Sequence, residues 1–379
     1  MSRMETKVFK IGDIETDSGQ ISQAVSIIKS GGLVGFATET VYGIGCVVRP
    51  GMLEKLDALK GRGAEKRYSL HIASPGDLGK YVLNIGARGR KLVEAFWPGP
   101  LTIVFEPDDE SMDFVRGMLA AGVVEALYIG GTIGVRCPDN ELCKALLGKV
   151  DEAVVASSAN LSGERPATAA EQVIKDFDGK IEAVVDGDPR YGCKYNQSST
   201  VVKVSSGKIE VLREGMISKE QIEEKSSINI CFVCTGNTCR SPMAEYFCKK
   251  LISEKLDCDI DELPLLGYKV TSAGTMNAWQ GPASAEVIEI CGNIGVDATG
   301  HLSKSLQRYE VDSSDYIFVM TDGHLGQVLQ MWPWAKEKCF KLDGEADVGD
   351  PFGADMGVYQ ACAGQIEQAI KKRIGEILK

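Results

Sequence analysis

Apolar positions along the chain fall into two runs, with a polar gap between them. In the first run, SGQISQAVSIIKSGG (18–32) repeats its apolar residues at helical spacing and stops on two glycines, which predicts a helix and its end. LVGFA (33–37) follows directly as a wholly apolar strand. TIVFE (102–106), after the turn WPGP, then TIGVR (132–136) and AVVAS (153–157), read as further strands. In RPATAAEQVIKDFDGK (165–180) Thr168 is the expected N-cap of a helix. VVDG and STVVKV finish the run. Strands and helices mixed in this way predict an α/β or α+β sheet protein.

The pattern lapses between Arg213 and Ile228, where REGMISKEQIEEKSSIN is polar, charged and poor in large apolar residues. It resumes with the strand INICFV, a Gly/Asn/Thr loop and a helix from Ser241-Pro242. YKVTSAG is followed by the helical SAEVIEICGNIG, and YIFVMTD by HLGQVLQMW. A short strand CFKL precedes a long helix from about Gly357 to Leu378, with Val358, Cys362, Ile366, Ile370, Ile374 and Ile377 on one face. Regular alternation of strand and helix predicts a parallel sheet with right-handed crossovers. The expected division is therefore a domain at 1–218, a linker at 219–227 and a domain at 228–379.

The 379 residues are enough for two domains, and 44% hydrophobic with 25% charged residues is ordinary for a globular protein. The formal net charge of −11 disfavours general binding to nucleic acid or anionic membrane, so any phosphate-bearing ligand must be held by a local basic pocket. No apolar run is long enough to span a bilayer, and the N-terminal segment lacks the apolar core of a signal peptide. With twelve cysteines scattered and unpaired in spacing, this leads to an expectation of reduced thiols in a cytoplasm.

The loop Cys234-Thr235-Gly236-Asn237-Thr238-Cys239-Arg240-Ser241-Pro242 lies between a buried strand and a helix start. Such a place turns backbone N–H groups and the positive helix end toward one spot, a site for an anion that favours a thiolate. The C-x5-R spacing lets Arg240 clamp two phosphate oxygens. Gly236 is expected to supply the backbone freedom of the turn, and Ser241 a hydrogen bond to the sulfur. Asp350, stiffened by Pro351, is the candidate acid for the leaving group. Cys231 and Cys234 make a CxxC, but on one strand they point to opposite faces, and no second pair or histidine completes a zinc site, so no metal is expected. Cys239 is either a packed thiol or a resolving partner for Cys234.

VCTGNTCRSPMAE, TSAGT, HLSKSL, VMTD-x-H and DPFG together resemble the low-molecular-weight protein-tyrosine phosphatase family over 228–379. The resemblance implies Cys234 as nucleophile, Arg240 as clamp, Ser241 as thiolate partner, Asn237 as loop brace, Asp350 as general acid, phosphoprotein substrates, a doubly wound four-stranded parallel sheet and no metal. Thr238, commonly aliphatic in tyrosine-specific members, and Phe352 after the acid look like the protein-arginine phosphatase branch. Arsenate reduction is the alternative activity.

In the first half TETVYGIG (38–45), K-x-R (60–62), FWPGPLT (96–102), TIGVRCP (132–138), SSANLSG (157–163), STVV (199–202) and LREGMI (212–217) resemble the threonylcarbamoyl-AMP synthases. The resemblance implies a twisted mixed α/β sheet with a basic concave pocket. It implies L-threonine held by Thr38, His71, Arg136, the Ala156 backbone and Ser199. It implies ATP held by Arg62, Lys66, Thr132, Ser158, the backbone near Pro166 and Arg213, with Lys60 and Asn160 as helpers. Bicarbonate is the third substrate, Mg²⁺ accompanies ATP, and the product links the protein indirectly to tRNA modification. Ala37 stands where the family usually has proline. Arg67-Tyr68 replaces a usual Pro-Leu and is expected to loosen the loop over ATP. The alternative for this half is a module that binds nucleotide or RNA without reacting.

Overall fold

A strand as apolar as LVGFA needs cover on both faces, and the fold supplies it. The structure, a computed structural model, describes residues 5–61, 67–205, 207–276 and 280–378. The chain divides into two compact units, with the boundary between Lys225 and Ser226. In the first unit, among the described residues, ten strands make one mixed sheet. They are β1 (Lys7–Ile11), β2 (Val34–Ala37), β3 (Tyr42–Val47), β4 (Ser69–His71), β5 (Leu101–Phe105), β6 (Ile133–Arg136), β7 (Val154–Ser158), β8 (Ala183–Gly187), β9 (Thr200–Ser205) and β10 (Lys208–Arg213). Their order is β1-β8-β2-β3-β7-β4-β6-β5-β9-β10. β2 and β3 pair antiparallel across the short Thr38–Val41 connection, whereas β4 with β6 and β5 with β9 are parallel. Helix Ser18–Lys29 buries Ile21, Ala24, Val25 and Ile28 against Phe9, Val34 and Phe36. On the other face, Ile44, Leu70, Ile103, Val135, Val155 and Val202 form a second core.

The second unit holds β11 (Ile228–Cys234), β12 (Tyr268–Gly274), β13 (Tyr316–Val319) and β14 (Cys339–Lys341), all parallel, in the order β12-β11-β13-β14. Alternation sends Ile230, Phe232 and Cys234 of β11 to one core, and Cys231 and Val233 to the other. Helices Arg240–Leu256 and Met356–Ile377 cover the first of these cores, and helix Asp322–Met331 packs Val328 into the second. The two faces of the sheet are thus each covered, as a doubly wound fold requires. Cys231 and Cys234 do lie on opposite faces.

Two local expectations differ from the structure. The N-cap of helix Ala170–Phe177 is Ala169, not Thr168, and no side chain caps it. The Gln172 side chain instead reaches back to accept the Thr168 backbone N–H at 2.7 Å, which places Thr168 one residue outside the cap. The polar stretch 219–227 is helical over Lys219–Ser226, because its one apolar residue, Ile222, is fully buried. Among the described residues, no helix is long and apolar enough to cross a membrane.

Candidate active sites

The central strands of the first sheet put every second residue on a common face. Leu70, Val135, Ile103 and Val155 point into the core, so Ser69 and His71, Gly134 and Arg136, Thr102 and Val104, and Ala156 and Ser158 point the other way. They wall a cavity of about 470 Å³. Sheet register makes neighbours of residues far apart in sequence: Arg136 pairs with His71 on one side and with Thr102 on the other.

Arg136 is 6% exposed and is held from the β2–β3 turn. Its Nη2 donates to Glu39 Oε1 at 2.8 Å, to Thr40 Oγ1 at 2.6 Å and to Thr38 Oγ1 at 3.4 Å. Glu39 is fully buried, and neither its Oε2 nor Arg136 Nε has a hydrogen-bond partner among the described residues. Burial, reinforced by the Arg136 guanidinium, pushes the His71 imidazole down to about 3. The ring is therefore neutral. Its Nδ1 faces the Ser69 carbonyl at 3.0 Å, so Nδ1 carries the hydrogen and Nε2 keeps a lone pair. Arg213 donates through Nη2 to the Ser199 carbonyl at 2.8 Å, and burial, with Arg136 second, lowers its pKa. Ser199 Oγ lies 3.1 Å from Thr102 Oγ1.

All five positions expected to hold threonine, Thr38, His71, Arg136, Ala156 and Ser199, line this cavity. Of those expected to hold ATP, Ser158 and Arg213 line it as well. Arg62 and Lys66 lie outside the described residues. Lys60, fully buried, stands behind the wall and donates to Ser157 Oγ at 3.1 Å and to the Ser158 carbonyl. Asn160 accepts from Ser158 Oγ at 2.6 Å and ties the loop to the Leu161 and Glu164 carbonyls. Thr132 is buried and accepts from Arg67, and Pro166 is half-buried beside the same loop. Arg67 and Tyr68 also line the cavity. Tyr68 donates to Asp57 Oδ1 at 2.5 Å. Glu39, Thr40, Thr102 and Gly215 escaped sequence reasoning. A Cβ on Gly215 would stand 2.6 Å from Ser199 O, so only glycine lets the 212–217 segment return against Ser199.

In the second unit β11 ends at Cys234 and helix Arg240–Leu256 begins six residues later. Cys234 is 3% exposed; its Sγ lies 3.0 Å from Ser241 Oγ and accepts the Asn237 backbone N–H at 3.3 Å. The residue with positive φ is Asn237 (φ 55°), not Gly236, which corrects the expected role of the glycine. Asparagine serves there because its side chain is fully bonded. Nδ2 donates to Ser241 Oγ at 3.0 Å and to Ser272 Oγ at 2.8 Å, and Oδ1 accepts the Lys304 N–H at 2.9 Å. His301 Nε2 meets the Asn237 carbonyl at 2.9 Å. The loop also presses on the end of β12, where a Cβ on Gly274 would stand 2.6 Å from Thr235 O.

Arg240 is 5% exposed and donates through Nη2 to Asp350 Oδ2 at 2.7 Å and to Thr235 Oγ1 at 3.4 Å. The Asp350 side chain is half exposed. Thr238 is half-buried, and its Oγ1 lies 3.6 Å from Cys239 Sγ. Cys239 is a buried free thiol 3.3 Å from Tyr359 OH. Phe352 is 77% exposed beside the acid.

Residues 26–215 match the family model Sua5_yciO_yrdC, described as telomere recombination, and residues 229–379 match low molecular weight phosphotyrosine protein phosphatase. The threonylcarbamoyl-AMP synthase of Bacillus subtilis is 33% identical over 214 residues, which is 56% of this chain and 58% of that protein. This chain therefore spans little more than half the length of that relative. A protein-arginine-phosphatase of Geobacillus stearothermophilus is 35% identical over 148 residues, 38% of this chain and 91% of that protein. A crystal structure of P. abyssi Sua5 complexed with L-threonine aligns with a TM-score of 0.50 at 20% identity, covering 96% of this chain and 98% of that one, a likeness of fold alone.

Proposed function

The chain belongs to the Sua5/YciO/YrdC family in its first half and to the low molecular weight phosphotyrosine protein phosphatase family in its second, and on that premise we propose two specific reactions for its two enzyme domains. The first half makes threonylcarbamoyl-AMP and pyrophosphate from L-threonine, bicarbonate and ATP, the activated group later passed to tRNA adenosine. The second half hydrolyses phosphoarginine on proteins through a phosphocysteine.

What supports the first reaction most is the convergence of Arg136, Arg213, neutral His71 and the Ser/Thr hydroxyls on one sheet-walled cavity. The amine of threonine combines with bicarbonate, losing water, and the resulting carbamate oxygen attacks the α-phosphorus as pyrophosphate leaves. Arg136 suits the threonine carboxylate. The Nε2 lone pair of neutral His71 suits an ammonium or hydroxyl hydrogen. Arg213 offsets negative charge gathering at phosphorus. Mg²⁺ would enter on the triphosphate; none of the described cavity-lining residues is a carboxylate, so the chain's own part is its arginines and hydroxyls. Pyrophosphate release from ATP should require both threonine and bicarbonate. Release that ignores either would remove this reaction.

For the second reaction the sulfur of Cys234, with a hydroxyl and a backbone N–H aimed at it at the start of a helix, carries the reading. In the resting site the proposed clamp and the proposed acid hold each other, Arg240 to Asp350. An arriving phosphoryl group takes over Arg240 and frees the Asp350 carboxylate, which, half exposed, takes a proton from solvent and passes it to the leaving nitrogen. Cys234 attacks phosphorus, and water then releases phosphate. The likeness to the protein-arginine-phosphatase supports phosphoarginine, as does Thr238. Phosphate release from phosphoarginine and phosphotyrosine peptides, compared in wild type and Cys234→Ser, tests both points. Turnover surviving in the variant would discard the nucleophile, and a preference for phosphotyrosine would discard the substrate.

A further inference from the structure

His324, the third residue of helix Asp322–Met331, is 6% exposed, and both its ring nitrogens meet hydroxyls. Nδ1 lies 2.8 Å from Thr321 Oγ1, and Nε2 lies 2.8 Å from Thr235 Oγ1. Thr321 is the N-cap of this helix, and its oxygen accepts the His324 backbone N–H at 3.2 Å. Thr235 Oγ1 accepts in turn from Arg240 Nη2 at 3.4 Å, the nitrogen that also donates to Asp350. A line of polar contacts therefore runs from the helix cap through the imidazole to the anion loop.

A neutral imidazole has one N–H and one lone pair. Burial, with the Arg240 charge second, pushes His324 down to about 4, so the neutral ring is the working form near neutral pH. With the ring hydrogen on Nε2, His324 donates to Thr235, and the Thr321 hydroxyl donates to Nδ1. Thr321 then gives one bond and accepts one. Thr235 accepts two and keeps its own hydrogen unspent. With the ring hydrogen on Nδ1 the situation reverses: Thr235 spends its hydrogen on the ring, and the Thr321 oxygen receives two donors while its own hydrogen finds no acceptor among the described residues. The two arrangements differ in where one spare hydroxyl hydrogen sits. An anion beside Arg240 selects the first, because only there does the spare hydrogen meet a charged acceptor.

We propose that the Thr235 hydroxyl is a further donor to the phosphoryl group bound at the Cys234 loop, and that His324, as its Nε2–H tautomer, is the positioning residue that frees it. This rests on the phosphatase reading of that loop. It adds a side-chain donor to the backbone N–H groups and Arg240, on the side of the site next to the acid.

The test uses the full chain and inorganic phosphate, and does not depend on turnover. The chain has three histidines, so ¹⁵N-histidine labelling gives three imidazoles, with His324→Gln assigning the third. With phosphate bound, His324 is expected neutral with its hydrogen on Nε2; a hydrogen on Nδ1 overturns the proposal. Calorimetric titration of phosphate should show Thr235→Val binding about tenfold or more weaker than wild type, the worth of one bond to a charged acceptor. Thr235→Ser, which keeps the hydroxyl, should bind like wild type. Equal affinity of the valine variant and wild type also overturns the proposal. A threonine that only filled space would shift the thermal midpoint and leave affinity and tautomer alone. Failure of the phosphatase reading looks different: wild type would show no turnover that depends on Cys234, whatever phosphate does.

Discussion

Arg136 is a charge folded into a wall with part of its hydrogen bonding unmet, and its partner Glu39 is fully buried. Breaking a buried pair by removing one side leaves the other charge stranded, at a cost of about 3–5 kcal/mol, whereas replacing both can be close to neutral. Arg136→Ala should therefore lower the stability of the first unit by that amount. Arg136→Met with Glu39→Gln should recover most of it. Urea unfolding curves check the pair, and a double variant no more stable than the single would show that the pair is not the source. Pyrophosphate release should be lost in both, because neither restores the guanidinium proposed to hold the threonine carboxylate. Sequence reasoning found Arg136 but missed Glu39. An acidic residue within TETVYG gives no sign of its burial until β2 and β6 bring it beside a guanidinium.

At the scale of elements, the phosphatase loop depends on two backbone conditions. Asn237 adopts the left-handed conformation, which costs a non-glycine residue about 1–2 kcal/mol. Asn237→Gly removes the side-chain bonds but relieves that cost; Asn237→Ala removes the bonds and keeps it. The alanine variant should be the less stable by about 1 kcal/mol, and both should lose most phosphatase turnover because Ser241 is no longer fixed. Equal thermal midpoints would deny the backbone contribution. Gly274→Ala drives a methyl against the Thr235 carbonyl, so the loop must shift. Turnover should fall at least about tenfold, since misplacement of this order at a reacting centre costs that much or more. Wild-type turnover would mean that the strand end yields instead.

At the scale of the whole molecule, each unit buries a histidine held neutral, His71 at about 3 and His324 at about 4, both lowered chiefly by burial. Below about 6.5 the unfolded chain takes up a proton at each histidine, and the folded chain does not until the folded pKa is reached. Stability is therefore full above about 6.5 and falls as pH drops toward 4 and then 3, by about 1.4 kcal/mol per pH unit for each histidine. His71→Gln should flatten that slope for the first unit only, as read from unfolding curves at pH 4, 5, 6 and 7. An unchanged slope would mean that other groups dominate. The two sheets are separate, so Cys234→Ser should abolish phosphate release and leave threonine-dependent pyrophosphate release unchanged.

Periodicity and loop spacing were enough to indicate two sheet domains and to single out Cys234 and Arg240 in one candidate anion loop, whereas Asp350, 110 residues beyond Arg240, meets it only in the fold. The loop is local: a strand, a glycine-containing turn, a helix start and an arginine six residues after the cysteine all lie within one short stretch. Motif order likewise pointed to Thr38, His71, Arg136, Ala156 and Ser199. Only the tertiary structure decided which residues share a wall, because sheet register sets His71, Arg136 and Thr102 side by side across three strands from separate parts of the chain. It also decided that Asn237 carries the turn, that Gly215 and Gly274 are needed for backbone approach, and that His324 reaches Thr235. These are contacts between distant segments, and their physical cause is close packing and register, which no local pattern of apolar and polar residues encodes.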